Sequence, residues 1–186
     1  VIGGSSNDFI TSVAVSPDGG YIVGGYFDGT IELDNGITLT NKGNRDGMVI
    51  KYNVEGEVEW TKVIGGSSND SIETVAASED GSYIVGGIFQ SSIIELENGI
   101  TLTNKGNQDG MIIKYSAKGK MEWTKEIGGS KNDSIETVAA SSDGGYIIGG
   151  WFKSPIELDN EITLTNSQQD GILIKYNAEG TVEWVK

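Results

Sequence analysis

The chain has 186 residues, enough for one domain with a real core, and its 13 basic and 27 acidic residues leave a formal charge of −14. That balance argues against a nucleic-acid partner, which needs a basic face to displace counterions, and against adsorption to anionic membrane; no apolar run approaches the ~18 residues of a spanning helix, so no membrane insertion is expected. Cys and His are both absent, which removes thiol nucleophiles, disulfides, Cys/His zinc sites and any imidazole base.

The chain opens on Val1 in mid-motif and without a starting Met, which reads as a mature fragment or a piece of a longer protein. From there one unit is written three times. The Gly-Gly of "IGGS" starts at Gly3, Gly65 and Gly128, at spacings of 62 and 63 residues. "YIVGG" or "YIIGG" begins at Tyr21, Tyr83 and Tyr146, "ITLTN" at Ile37, Ile100 and Ile162, and "IKY" at Ile50, Ile113 and Ile174. Each copy closes on Trp60, Trp123 or Trp184. The expected bounds are 1–62, 63–125 and 126–186, with no linker and no second domain.

Within the second copy, short β-branched and aromatic runs alternate with Gly, Asp, Asn and Ser, the signature of strands and turns. Strands are predicted over 71–78, 83–89, 111–115 and 120–125, here named a to d. No amphipathic period of 3.6 runs long enough for a helix. Between strands b and c lies an inserted hairpin with Asn35-Gly36 or Asn98-Gly99 at its tip, a pair that supplies the positive φ of a tight turn. The third copy has Asn160-Glu161 instead, so Glu161 either carries strain or the turn differs.

Four strands per unit at this period describe the blades of an all-β propeller; the rival is a β-solenoid or a stack of sandwiches, and solenoid coils have roughly 20–30 residues. Ala76, Ala77 and Ser78 of strand a suit a crowded centre, and the Trp of strand d suits a wide rim. The pattern "GGSxNDxxxxVAxSxDGGYIxGG…DGxxIKYxxxGxxxW" resembles the bacterial SBBP-type β-propeller repeat family, across all three copies. The resemblance implies a secreted or surface-exposed protein with no common reaction, hence an extracellular or cell-surface location.

Propellers close with about 4–8 blades, so three are too few. Each copy is a whole blade in the order a, b, c, d. Two chains would therefore make one six-bladed ring, and a homodimer is expected. The alternative is a longer chain carrying six or more blades.

The a–b and c–d turns are tight, whereas the other edge carries the d–a loop and the hairpin, and binding is expected there. At this edge the copies differ: Tyr26, Ile88 and Trp151 follow Gly-Gly, and Arg45, Gln108 and Gln169 precede Asp-Gly. Asn7-Asp8, Asn69-Asp70 and Asn132-Asp133 recur in the d–a loop. They are read either as Asx-turns closing the loop or as a ring of oxygens for a cation or sugar hydroxyls. Asp46, Asp109 and Asp170 are read as turn residues. "NKGNRDG" lacks the leading Asp and closing Glu of a calcium loop, and neither metal nor cofactor is expected. Asn69-Asp70-Ser71 and Asn132-Asp133-Ser134 match the N-glycosylation pattern.

Catalytic motifs such as Walker A, G-x-S-x-G and H-E-x-x-H are missing. Most acids, among them Glu59, Glu122 and Glu183, recur in every copy, which suits blade structure better than an asymmetric acid and base. Lys51, Lys114 and Lys175 recur likewise and are expected to pair with strand carboxylates. The expected function is a non-enzymatic extracellular binding module for a carbohydrate or protein ligand, with Tyr26 and Trp151 as stacking platforms. The alternative is a purely structural spacer or self-assembly repeat of a larger surface protein or filament.

Overall fold

The structure is a computed structural model and describes residues 1–34, 36–159, 162–166 and 168–186. The first repeat forms β1 (Asp8–Val15), β2 (Tyr21–Phe27), the hairpin β3 (Thr30–Glu32) and β4 (Thr38–Thr40), β5 (Asp46–Tyr52) and β6 (Val58–Ile64). The second forms β7 (Asp70–Ala77), β8 (Tyr83–Phe89), β9 (Ile93–Glu95), β10 (Thr101–Thr103), β11 (Asp109–Tyr115) and β12 (Met121–Ile127). The third forms β13 (Asp133–Ala140), β14 (Tyr146–Phe152), β15 (Ile156–Leu158), β16 (Ile162–Leu164), β17 (Asp170–Tyr176) and β18 (Val182–Val185). Each repeat gives one four-stranded antiparallel sheet in the order a, b, c, d: β1-β2-β5-β6, β7-β8-β11-β12 and β13-β14-β17-β18. Strands β6 and β12 run on past residues 62 and 125.

Each sheet packs on the next, and the a strands lie against one another, β1 on β7 and β7 on β13. That is the arrangement of propeller blades whose innermost strands converge. A bulge falls at the same place in every a strand, between Ile10 and Ser12, Ile72 and Thr74, and Ile135 and Thr137, and adds the twist a blade needs.

The core lies between blades. One cluster joins Ile22 and Val49 of the first blade to Ile72, Val75, Tyr83 and Met111 of the second. Another joins Ile84 and Ile112 of the second to Ile135, Val138, Tyr146 and Ile174 of the third. Glycine makes this fit possible: a Cβ on Gly24 would lie 2.7 Å from Val75 Cγ1, and one on Gly86 would lie 2.8 Å from Ile135 Cγ2. At the rim, Trp60 Nε1 donates to the Ala117 carbonyl at 3.1 Å and Trp123 Nε1 to that of Ala178 at 3.0 Å. The two indoles touch Tyr83 and Tyr115, and Tyr146 and Tyr176.

The inserted hairpins are part of this core, not free loops. In the first two an exposed–buried–exposed pattern sends Ile31 and Leu39, Ile94 and Leu102 inward, and in the third Ile156 and Leu158 are buried. At the second tip Asn98 (φ 61) and Gly99 (φ 73) both take the left-handed conformation that a two-residue hairpin turn demands. Asn35, Asn160 and Glu161 lie outside the described residues.

The repeated lysines pair with acids, as their recurrence indicates. Lys51 Nζ is fully buried and lies 2.7 Å from Glu59, 3.0 Å from Asp18 and 2.8 Å from the Tyr52 carbonyl. Lys114 pairs with Glu122 at 3.0 Å. Lys175 turns instead to Asp143, at 2.6 Å.

Candidate functional site

One edge of every blade carries the end of strand b, the start of strands a and c, and the d–a loop, because Asp8 pairs with Phe27 and Phe27 with Asp46. At this edge the blades interlock. Arg45 bridges to Asn69 and Gln108 to Asn132 as parallel partners, with Asp70 N donating to the Arg45 carbonyl at 2.9 Å and Asp133 N to that of Gln108 at 2.8 Å. Predicted residues from different copies are thus brought together across a junction. Gln169 and Asn7, the members without such a neighbour in the sequence order, are both exposed.

The three stations differ in chemistry. In the first, the Arg45 guanidinium stacks on the Tyr26 ring at 4.1 Å and contacts Asp28 at 3.3 Å, while Phe9 lies 5.1 Å from Tyr26. In the second, Asn69 Nδ2 donates to Gln90 Oε1, Gln90 Nε2 to Gln108 Oε1, and Gln108 Nε2 to the Asp133 carbonyl, a chain of amides at 3.2–3.5 Å. In the third, Trp151 Nε1 donates to Glu136 at 3.0 Å and its ring lies under Lys153 Nζ at 4.7 Å. A pocket of about 440 Å³ there is lined by Lys131, Lys153, Gln168 and Gln169.

Phe9 and Glu136 were not singled out from the sequence. Phe9 had a readable signal: it stands where the other copies have Ser71 and Ser134, so it too breaks the repeat. Glu136 recurs as Glu73 in the second copy, and its role shows only through the register that faces it toward Trp151.

The repeated aspartates of the d–a loop hold the backbone. Asp8, Asp70 and Asp133 accept the N–H of Gly4, Gly66 and Gly129, at 2.6, 2.8 and 2.7 Å. Asp70 Oδ1 also accepts from Gln90 N and Ser91 N, and Asp133 Oδ1 from Lys153 N. The geometry is that of loop closure onto strands a and b.

Asp46, Asp109 and Asp170 differ from their reading as turn residues: each begins a strand. The reason is pairing with the end of strand b, Asp46 with Phe27, Asp109 with Phe89 and Asp170 with Phe152, while Lys42 N and Lys105 N donate to Asp46 and Asp109 at 2.8 Å. Their other oxygens, Asp46 Oδ1 and Asp109 Oδ1, are buried without a hydrogen-bond partner among the described residues. Burial, reinforced by Asp133, pushes the Asp109 carboxyl up to about 6 against the bond from Lys105; burial raises Asp46 in the same way. The folded chain therefore holds a proton on Asp109 that the unfolded chain has released, and stability falls as pH rises between about 4 and 6. Asp109→Asn is expected to remove this loss. Urea titrations should show the variant gaining on the parent by up to about 3 kcal/mol from pH 4 to pH 7; a constant difference would contradict the assignment.

Pockets elsewhere recur with the repeat. One of about 270 Å³ is lined by Lys62, Glu97 and Tyr115, and one of about 490 Å³ by Lys125, Asp159 and Tyr176. They are counterparts at successive junctions and belong to blade packing.

Comparison with known proteins supports β-propeller repeats without singling out the SBBP type. The WD domain, G-beta repeat family matches residues 1–33. Regulatory protein FlaEY of Caulobacter vibrioides is 29% identical over 117 residues, 62% of this chain and 12% of that protein. The uncharacterized WD repeat-containing protein L264 of Acanthamoeba polyphaga mimivirus is 26% identical over 170 residues, 75% of this chain and 12% of that protein. The chain thus spans 12% of the length of each of these relatives. A solved structure of a protein of unknown function from Bacteroides caccae aligns at a TM-score of 0.45 and 10% identity, over 97% of this chain and 61% of that one.

Proposed function

We propose that the chain is a cell-surface interaction scaffold, closed as a six-bladed ring by two copies, whose protein partner docks on the b–c and d–a loop edge. The observation that carries this reading is the break in repetition. Three copies keep one backbone frame, while the same stations present Phe9–Tyr26–Arg45, then an amide chain, then Trp151–Lys153. Aromatic and Arg side chains on a rigid frame are the usual anchors of a protein interface. A carbohydrate is the weaker ligand, because Arg45 and Lys153 already cover one face of the Tyr26 and Trp151 rings. The extracellular setting follows from the SBBP resemblance.

The test compares partners retained by the immobilised chain and by a Tyr26→Ala, Arg45→Ala, Trp151→Ala variant of unchanged melting temperature. Each anchor is expected to weaken a bound protein by about tenfold or more. Equal retention by both chains, or binding only to a glycan array, would overturn the reading.

A further inference from the structure

The two internal junctions are built from one set of parts, and the outer faces of the first and third blades carry the complementary halves of that set. On the leading face, Ile10 is 47% and Val13 62% exposed, whereas their counterparts Ile72, Val75, Ile135 and Val138 are buried against the preceding blade. On the trailing face, Leu173 is 39% exposed, whereas its counterparts Val49 and Ile112 are buried by the following blade. A Cβ on Gly47 or Gly110 would meet Ile72 Cγ1 at 3.0 Å or Ile135 Cγ1 at 2.7 Å; on Gly171 it meets, among the described residues, the Gly150 carbonyl alone, at 4.0 Å.

The rim repeats the pattern. Trp60 and Trp123 each lie over a glycine of the next blade, Gly119 or Gly180, between two tyrosines. Trp184 is 39% exposed. The corresponding socket of the first blade holds no indole: Tyr21 stacks on Tyr52 at 5.0 Å, beside a pocket of about 440 Å³ lined by Leu33, Asp34, Tyr52 and Gly56. Lys62 pairs with Glu97 and Lys125 with Asp159 across the internal junctions, which leaves Lys186 and Asp34 as the third pair in sequence register.

We infer that the third junction forms between two copies of this chain, with Trp184 of each in the Tyr21–Tyr52–Gly56 socket of the other. Val13 N of one copy meets Thr137 Oγ1 of the other, as Val75 N meets Ser12 Oγ and Val138 N meets Thr74 Oγ1 within the chain. A second copy is the occupant because each exposed half matches the other half residue for residue. Two such head-to-tail contacts close under a two-fold axis, which leaves no blade face open. The inference deepens the two-chain ring proposed above and rests on it.

The test is light scattering across a dilution series on three proteins. The parent is expected at twice 19.7 kDa. Gly171→Leu is expected at the mass of one chain with its circular dichroism kept, because the new side chain has room within the chain and blocks the junction. Trp184→Ala is expected to raise the dissociation constant at least a hundredfold. A parent that stays a single chain at every concentration overturns both the ring and the junction. A parent pair that both variants leave intact overturns this junction and keeps the pairing. A ladder of larger masses, from open head-to-tail growth or from joining to further repeats, overturns closure by two copies.

Discussion

Ile72→Ala is expected to destabilise the chain by about 3–4 kcal/mol, and Ile10→Ala, the same change one repeat earlier, by less than about 1 kcal/mol. The two residues occupy the same register position at the bulge of strand a. Ile72 is fully buried, in contact range of Gly24 and Gly47 of the preceding blade. Its removal leaves a cavity walled by backbone and by Val75, which cannot collapse to fill it. Ile10 is half exposed, with no blade packed against it among the described residues. Measured by urea unfolding in the Gly171→Leu background, where a single chain melts, the contrast isolates what a neighbouring blade contributes. Equal losses would mean that the residue stabilises its own sheet and not the junction.

The second large effect concerns a buried charge. Asp18→Asn with Glu59→Gln is expected to cost about 3–5 kcal/mol at pH 7, while Lys51→Met costs far less. Lys51 is fully buried, and among the described residues those two carboxylates and the Tyr52 carbonyl hold its ammonium. Burial alone lowers the Lys51 pKa; the bonds from Glu59 and Asp18 reverse that and hold it above its usual value. In the parent this contribution is fully present below the unfolded pKa of 10.5 and is lost as pH rises through the folded one. In the double variant burial is opposed by the neutral Tyr52 carbonyl and no longer by a carboxylate, so the lysine sheds its proton more readily and the deficit should shrink on the alkaline side. A double variant as stable as the parent at pH 7 would show that the amine finds water or another acid.

The repeat, the four strands, their order and the Asn98-Gly99 turn were legible in the sequence because they are local. Turn glycines and runs of β-branched residues act within a few positions, and three copies say the same thing. Phe9 was equally legible as a break in the repeat. What the sequence did not disclose depends on three-dimensional geometry. Asp46 and Asp109 look like turn residues until the backbone N–H groups of Lys42 and Lys105 are seen to reach them. Tyr26 and Trp151 look like free platforms until Arg45 and Lys153 are placed over them. The hairpin looks like a loop until its alternate residues are found in the core. Arg45 on Tyr26 and the hairpin in the core are contacts between segments, whereas the bonds to Asp46 and Asp109 and the Lys153–Trp151 contact are local and turn on loop and side-chain geometry that a residue pattern does not encode. Asn35, Asn160 and Glu161 lie outside the described residues.

The most direct measurement is small-angle X-ray scattering of the 186-residue chain at several dilutions, which reports mass and shape together. The expected result is a particle of two chains whose distance distribution is that of a flat disc with a central channel, unchanged on dilution. A one-chain particle with the profile of an open arc would contradict closure of the ring by a second copy. A long rod would contradict the propeller itself.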